Sequence, residues 1–348
     1  MSPRRTALFG FGHVAEHGHL SAWRKRADFA ITAVADPEPA RRAAAQRLLP
    51  GARVYDDPLA ALEAEPLDVV DIAAPPALHA PLAIRAAAAG CHILCEKPLA
   101  TSLADCRTVA AAVRAAGVTL YTVHNWKHSD QFERMAALLA EGAVGRLTHL
   151  RLETIRAGRA VSVGSEWRGQ AALAGGGILF DHGWHALYLL LGLADQPPQQ
   201  LCATIERRRY TDADVEDTAT CAIQFPSLRG DIFLTWAGDA RHTRWRASGT
   251  EGALTLADDS GELVRGDERR TFTFAHSLSG GSHHPDWFGA VIDGFASEIE
   301  DPSQRGRNLA EAERCMQLTA LAYDSGQHGG CALAVPALPS STEAAGAH

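Results

Sequence analysis

Several features are missing from this sequence, and each absence closes off a class of protein. No run of apolar residues reaches the roughly 18 that a membrane-crossing helix needs. Cysteine is limited to seven residues, an odd number, widely scattered, with no CxxC pair or other short ligand spacing. A structural zinc site is therefore not suggested, and small core side chains in a reduced compartment fit better. Basic residues are outnumbered: 33 Lys and Arg face 41 Asp and Glu, for a net charge of −8. That is the wrong sign for neutralising many phosphates, so nucleic acid is excluded as an expected partner. No internal repeat is visible. What is present is ordinary for a globular chain, with 46% hydrophobic and 21% charged residues, enough for a sizeable core. At about 150 residues per domain, a chain of 348 residues should form two domains. Arg4 and Arg5 stand directly before a strand-like stretch. They make a poor secretion signal, and the expected location is the cytoplasm.

From Thr6 to about Ala140, short aliphatic runs alternate with alanine-rich amphipathic stretches. Strands are expected at Ala7 to Phe9, Ala30 to Ala35, Val69 to Ile72, Cys91 to Cys95 and Thr119 to Val123, and helices near His13 to Arg26, Pro39 to Leu48, Pro81 to Ala89, Ala104 to Ala116 and Gln131 to Ala140. The pattern predicts an α/β fold, a doubly wound parallel sheet. After Gly145 strand-like segments follow one another: Leu147 to Arg156, Leu201 to Arg209, Thr218 to Phe225, Asp231 to Gly238, Arg244 to Ser248 and Ala253 to Leu256. They predict an α+β domain with a mostly antiparallel, open sheet, one face covered by helices at Ile178 to Leu191, Trp287 to Glu300 and Leu309 to Tyr323. The expected domains are 1–124 and 125–337, with 338–348 a flexible tail.

Gly10, Phe11, Gly12, His13, Val14 and Ala15 read GxGxxA between the first strand and the first helix. There two glycines permit a tight turn and close approach of a pyrophosphate to helix N–H groups. Asp36 ends the second strand, where a carboxylate accepts hydrogen bonds from ribose hydroxyls. Ordinary glycines in a βα turn with a chance acid downstream are the competing reading. Asp36 would repel a 2′-phosphate, which favours NAD, while Arg41 and Arg42 keep NADP possible.

Glu96, Lys97 and Pro98 close the strand from Cys91, at the carboxyl edge where ligands of open α/β sheets bind. Beside an oxidised nicotinamide ring, like charge and desolvation would both favour neutral Lys97, able to hydrogen-bond or shuttle a proton. A surface Glu96–Lys97 ion pair is the bland alternative. Further on, Gly175, Gly176 and Gly177 lead into a helix carrying Asp181 and His185, which share a face at i, i+4 spacing. They suit acid/base work near neutral pH, or simply form a satisfied polar pair. His182 could complete a metal cluster with them, but successive helix side chains diverge, and no metal is expected. His283 and His284 read as solvated loop residues, and Arg207, Arg208 and Arg209 as a solvated strand edge that discourages strand addition.

Taken together, GFGHVA from Gly10, VAD ending at Asp36, AAPPALH ending at His79, CEKPLA from Cys95 and GGGILFDHGWH from Gly175 resemble the glucose-fructose oxidoreductase and inositol dehydrogenase (Gfo/Idh/MocA) family. The likeness runs from about Thr6 to Pro336. It implies a Rossmann domain followed by an α/β domain with an open antiparallel sheet, and hydride transfer between nicotinamide and a hydroxyl-bearing carbon. Residue by residue, Lys97, Asp181 and His185 match the family's catalytic positions. Gly10, Gly12, Asp36, Pro75, His79 and Glu96 match positions around the cofactor, with Phe11, His13, Val14, Arg41, Ala74 and Lys97 expected to join them. The family often carries an acid three residues after the histidine, where this chain has Tyr188. Asn125 and Lys127, Trp167 and Arg168, and Tyr188 are the candidate substrate-facing residues.

The expected function is an NAD(P)-dependent oxidoreductase acting on a sugar, cyclitol or related polyol held between the domains. His185 would take the hydroxyl proton, Asp181 would position His185 or the substrate, and Lys97 would hydrogen-bond the reacting oxygen. NAD-assisted elimination or glycoside cleavage without net redox change is one alternative, and a non-catalytic dinucleotide sensor is another. A sheet face uncovered by helices predicts a homodimer or homotetramer.

Overall fold

The structure, a computed structural model, describes residues 2–159, 167–280 and 284–338. The expected tail from residue 339 onward and His283 lie outside the described residues. The chain forms two compact units, the first holding residues 2–125 and 284–313 and the second 126–159, 167–280 and 314–338.

The first unit is built on a six-stranded parallel sheet: β1 (Arg4–Phe9), β2 (Phe29–Ala35), β3 (Arg53–Tyr55), β4 (Val69–Ile72), β5 (His92–Cys95) and β6 (Leu120–Thr122). Its strand order is β3-β2-β1-β4-β5-β6. The order reverses beside β1, so the loop after Phe9 opens at the switch point of the sheet. Strands buried on both faces read as near-continuous apolar runs, and all four residues of β4 are buried. Asp71 is the exception in that run. Local chemistry sets the helix ends: Ser102 caps the helix Leu103–Ala116 through the Asp105 N–H at 3.0 Å, and Gly117 ends it at φ 66°.

One layer of this unit is supplied from far along the chain. The helix Phe288–Glu300 brings Phe288, Val291, Ile292 and Phe295 into the buried cluster that also holds Leu8, Trp23, Phe29, Val34 and Leu94. Each such side chain contributes about 1.5–3 kcal/mol by leaving water. The expectation that this helix covers the antiparallel sheet is thus corrected. Its amphipathic pattern announces a covering helix but carries no information about which sheet it covers.

The second unit contains β7 (Leu147–Ala157), β8 (Gln200–Glu206), β9 (Thr218–Gln224), β10 (Arg229–Thr235), β11 (Ala237–Gly249), β12 (Ala253–Ala257), β13 (Ser260–Arg265), β14 (Glu268–Thr273) and β15 (Leu333–Ala334). They make one sheet in the order β14-β13-β12-β11-β7-β10-β9-β8-β15. All neighbours are antiparallel except β7 and β10. Along β7, Leu150, Leu152, Thr154 and Arg156 point to the buried face, where the helix Trp184–Ala194 packs. Strands β13 and β14 escape sequence reading because polar and charged residues fill them. Arg207–Arg209 do not lie on a strand edge. Their chain turns around Asp217, whose carboxylate accepts the backbone N–H groups of Arg208, Arg209 and Tyr210 at 2.9, 2.6 and 2.9 Å. A buried carboxylate facing three amides wins over the β propensity of the run.

Candidate functional site

In the first unit the loop after β1 has the shape of an anion cradle. Gly10 sits at φ +90°, donates its N–H to Ala35 O at 2.8 Å, and a Cβ there would lie 2.7 Å from Ala73 O. Only glycine fits. A Cβ on Gly12 would instead meet nothing within 4 Å, leaving open space beside the helix start. Asp36 is held by the N–H of Phe11 (2.7 Å) and of Glu38 (2.8 Å), one on each carboxylate oxygen. A carboxylate has about four acceptor sites, so Asp36 retains capacity for ribose hydroxyls. Arg42 donates to Asp36 O and Pro37 O, and Arg41 pairs with Glu16 at 4.0 Å. Both are thereby tied to protein groups. These residues fit a dinucleotide whose ribose carries free hydroxyls. Among the other expected cofactor residues, Phe11 is fully buried in the core and Val14 packs against that core. Phe11 can offer its backbone only. His13 opens the helical turn, and its ring lies 4.1 Å from that of His17, tilted by 37°.

The wall beyond β4 is braced by His79, whose ring nitrogens lie 2.7 Å from Pro98 O and from Ala74 O. With 1% exposure, His79 shapes the Ala74–Pro75 and Lys97–Pro98 segments rather than offering its ring to a ligand. Glu96 follows β5, and its Oε2 accepts the Lys97 N–H at 3.0 Å.

Behind that corner stands a group the sequence reading missed. His19 has no exposed surface and lies in a π-helical turn, Ala15–His19. Its Nδ1 is 2.8 Å from Asp71 Oδ2, its Nε2 is 3.0 Å from Glu96 Oε1, and Trp23 Nε1 donates to Asp71 Oδ2 at 2.7 Å. Burial alone would lower the His19 pKa. The two carboxylates outweigh it and push the pKa up to about 10, and the Glu96 carboxyl is in turn held below its usual range. The signal available in the sequence was an acid in the middle of an apolar strand, which must find a partner.

In the second unit the glycine turn is closed by Glu216, also missed. Its carboxylate accepts the N–H of Gly177 (2.9 Å) and of Leu179 (2.8 Å), and a Cβ on Gly177 would collide with the Glu216 carbonyl. Burial raises the Glu216 pKa, against those two amides. The turn runs into a π-helical segment, Leu179–Gly183, and then the helix Trp184–Ala194. The wide turn alters the simple i, i+4 geometry expected for Asp181 and His185. Asp181 pairs with His182 at 3.3 Å, whereas His185 Nδ1 meets the Tyr188 hydroxyl at 2.7 Å. Tyr188 Oη also accepts the Trp126 backbone N–H at 3.1 Å, and the Trp126 indole stacks on His185 at 5.1 Å. The orienting role expected of Asp181 at that ring nitrogen is therefore taken by Tyr188. Lys127 Nζ lies 6.0 Å from the Tyr188 ring centroid, and Arg168 stacks on Trp167 at 4.2 Å. Asn125 is buried at the end of the first unit. Arg156, another residue not foreseen, is 2% exposed, with burial lowering its pKa to about 10 against the charges of Asp181 and Asp258. No group of three metal-ligating side chains occurs among the described residues.

Comparison with known proteins agrees with this architecture. Residues 4–124 match the model of an oxidoreductase family with an NAD-binding Rossmann fold, and residues 132–255 match that of the GFO/IDH/MocA C-terminal domain. D-apiose dehydrogenase of Paraburkholderia graminis is 38% identical over 139 residues, 40% of this chain and 37% of that enzyme. D-glucoside 3-dehydrogenase of Escherichia coli is 32% identical over 187 residues, 53% of this chain and 52% of that enzyme. The chain thus aligns with about half, or less, of the length of these two relatives. An oxidoreductase from Agrobacterium radiobacter, crystallised with NAD+, L-tartaric acid and magnesium, shares the fold at a TM-score of 0.83 and 21% identity, over 95% of this chain and 98% of that one. With a dinucleotide cradle in one unit, a histidine-bearing glycine turn in the other and a match to both domain models, the chain belongs to the Gfo/Idh/MocA family of NAD-binding oxidoreductases.

Proposed function

We propose that this chain is an NAD-dependent oxidoreductase that moves a hydride between nicotinamide and a hydroxyl-bearing carbon of a sugar, cyclitol or related polyol. The observation that carries the proposal is one chain holding both a cradle with room for a pyrophosphate at Gly12 and an imidazole, His185, clamped by Tyr188 and Trp126. The dehydrogenase names of the 38% and 32% identical relatives support the reaction type and the sugar class. Engagement of Arg41 by Glu16, and of Arg42 by two backbone carbonyls, favours NAD over NADP. Bound NAD supplies the hydride acceptor. His185 takes the hydroxyl proton, Asp181 orients a substrate hydroxyl, and Lys97 donates a hydrogen bond to the reacting oxygen. Asn125, Lys127, Trp167 and Arg168 contribute to substrate selection, while fully buried Tyr188 acts through His185. Seven free thiols and the lack, among the described residues, of a helix long and apolar enough to cross a membrane are compatible with the cytoplasm. A homodimer or homotetramer is part of the proposal, to be read by sedimentation.

The test is a panel of polyols, sugars and sugar acids offered with NAD and with NADP while reduced-cofactor absorbance is followed. Turnover with NAD is expected, and Lys97→Met and His185→Ala should each lower kcat by about 100-fold or more. Wild-type turnover in both variants would overturn the assignment, as would no cofactor reduction across the whole panel.

A further inference from the structure

The Asp71–His19–Glu96 group in the first unit has no part in the chemistry proposed above, yet it ends on the residue next to Lys97. We propose that His19 is a positioning residue of the cofactor corner: its two ring N–H groups, one on Asp71 and one on Glu96, keep Glu96 ionised and aimed, so that dinucleotide binding depends on a side chain that touches no ligand. The hydrogen-bond geometry carries this. Each ring nitrogen faces a carboxylate oxygen within 3.0 Å, carboxylates only accept, and a ring donating from both nitrogens is an imidazolium. The site is sealed, with side-chain exposures of 0% for His19 and Asp71 and 12% for Glu96. The groups around the ring are Asp71 on β4, Glu96 after β5, the Trp23 indole one helical turn on, and the Phe288 ring at 4.6 Å. The Lys97 charge also acts on Glu96.

Without the imidazolium, the two buried carboxylates would keep only the Trp23 indole and the Lys97 N–H and charge as partners, and one of them would take up a proton near neutral pH. Glu96 is the more exposed of the two and holds the Lys97 N–H through its other oxygen, so its displacement loosens the turn that bears Lys97. Gly18 reinforces the arrangement, since a Cβ there would lie 2.9 Å from the Phe288 ring, which lets Phe288 close over His19.

The cofactor consequence rests on the NAD reading, whereas the charge state of the trio does not, and the experiment separates them. In the full chain labelled with ¹⁵N-histidine, with the ring signals assigned residue by residue, NMR should find His19 keeping both N–H protons from pH 6 to beyond pH 8, without any ligand. With ¹³C-labelled glutamate, Glu96 should titrate below the usual glutamate range in the wild type and above it in His19→Gln. Calorimetry at pH 8 should show NAD binding at least about tenfold weaker in that variant, with a pH dependence between 6 and 8 that the wild type lacks. A neutral His19 at pH 7 would overturn the proposal, and this decides it even if His19→Gln does not fold. Unchanged Glu96 titration in the variant, or equal NAD affinity across that pH range, would also overturn it. Absence of NAD binding by the wild type would instead refute the dinucleotide reading, and the two titrations would then judge the trio alone.

Discussion

Replacing Gly12 by alanine should separate folding from ligand binding at a single methyl group. The added Cβ meets no protein atom within 4 Å, and the residue is not held at a positive φ. Folding should be unharmed, since a compatible Gly→Ala change stabilises by about 0.4–1 kcal/mol through the unfolded chain. A pyrophosphate oxygen, in contrast, must come to about 3 Å from the helix N–H groups, and a methyl group occupies that approach. A loss of about 1.5–3 kcal/mol in NAD binding follows, or roughly ten- to a hundredfold in Kd. Gly10→Ala is the companion variant. Its Cβ would sit 2.7 Å from the Ala73 carbonyl oxygen at φ +90°, so that protein should lose stability itself. Thermal unfolding and isothermal titration of NAD on both proteins make the test. Wild-type NAD affinity in Gly12→Ala, or melting as early as Gly10→Ala, would refute the cradle.

Tyr188→Phe removes the hydroxyl that accepts the Trp126 N–H and meets His185. It should cost about 1–3 kcal/mol of stability and shift the pH profile of kcat/KM, while an unchanged melting curve and profile would rule out the clamp. Stability should also fall as pH rises from 6.5 to 8.5. His19 has its pKa raised from 6.5 to about 10, so its contribution is complete below 6.5 and is lost as pH climbs through 10. Over the two pH units from 6.5 to 8.5 the loss should be about 2–3 kcal/mol, before the buried thiols begin to matter, and urea unfolding of the wild type should find it. A wild-type stability flat across that window would refute it.

Much of the fold was legible because burial imposes periodicity. The run Val69–Ile72 matches its strand residue for residue, since a strand covered on both faces admits few polar side chains, and Gly117 marks a helix end because a left-handed residue is needed there. The glycine turn at Gly10 was legible for the same kind of reason, as a backbone demand met by a particular residue. What stayed hidden depends on contacts between distant positions. Nothing in the neighbourhood of His19 announces Asp71 and Glu96, 52 and 77 residues away, and nothing near Gly177 announces Glu216. The π-helical turns at Ala15–His19 and Leu179–Gly183 were invisible too, because one extra residue in a turn leaves the amphipathic pattern almost intact while redirecting the side chains that follow.

The return of residues 288–300 to the first sheet bears on how this gene product can be cut or recombined. A fragment ending at residue 124 would keep all six parallel strands yet lose Phe288, Val291, Ile292 and Phe295 from the core that holds Trp23, Phe29 and Val34, baring apolar surface that invites clumping. Any chimaera meant to borrow the nucleotide lobe must therefore splice two separate stretches of sequence. A boundary drawn from the order of residues alone would yield an insoluble half.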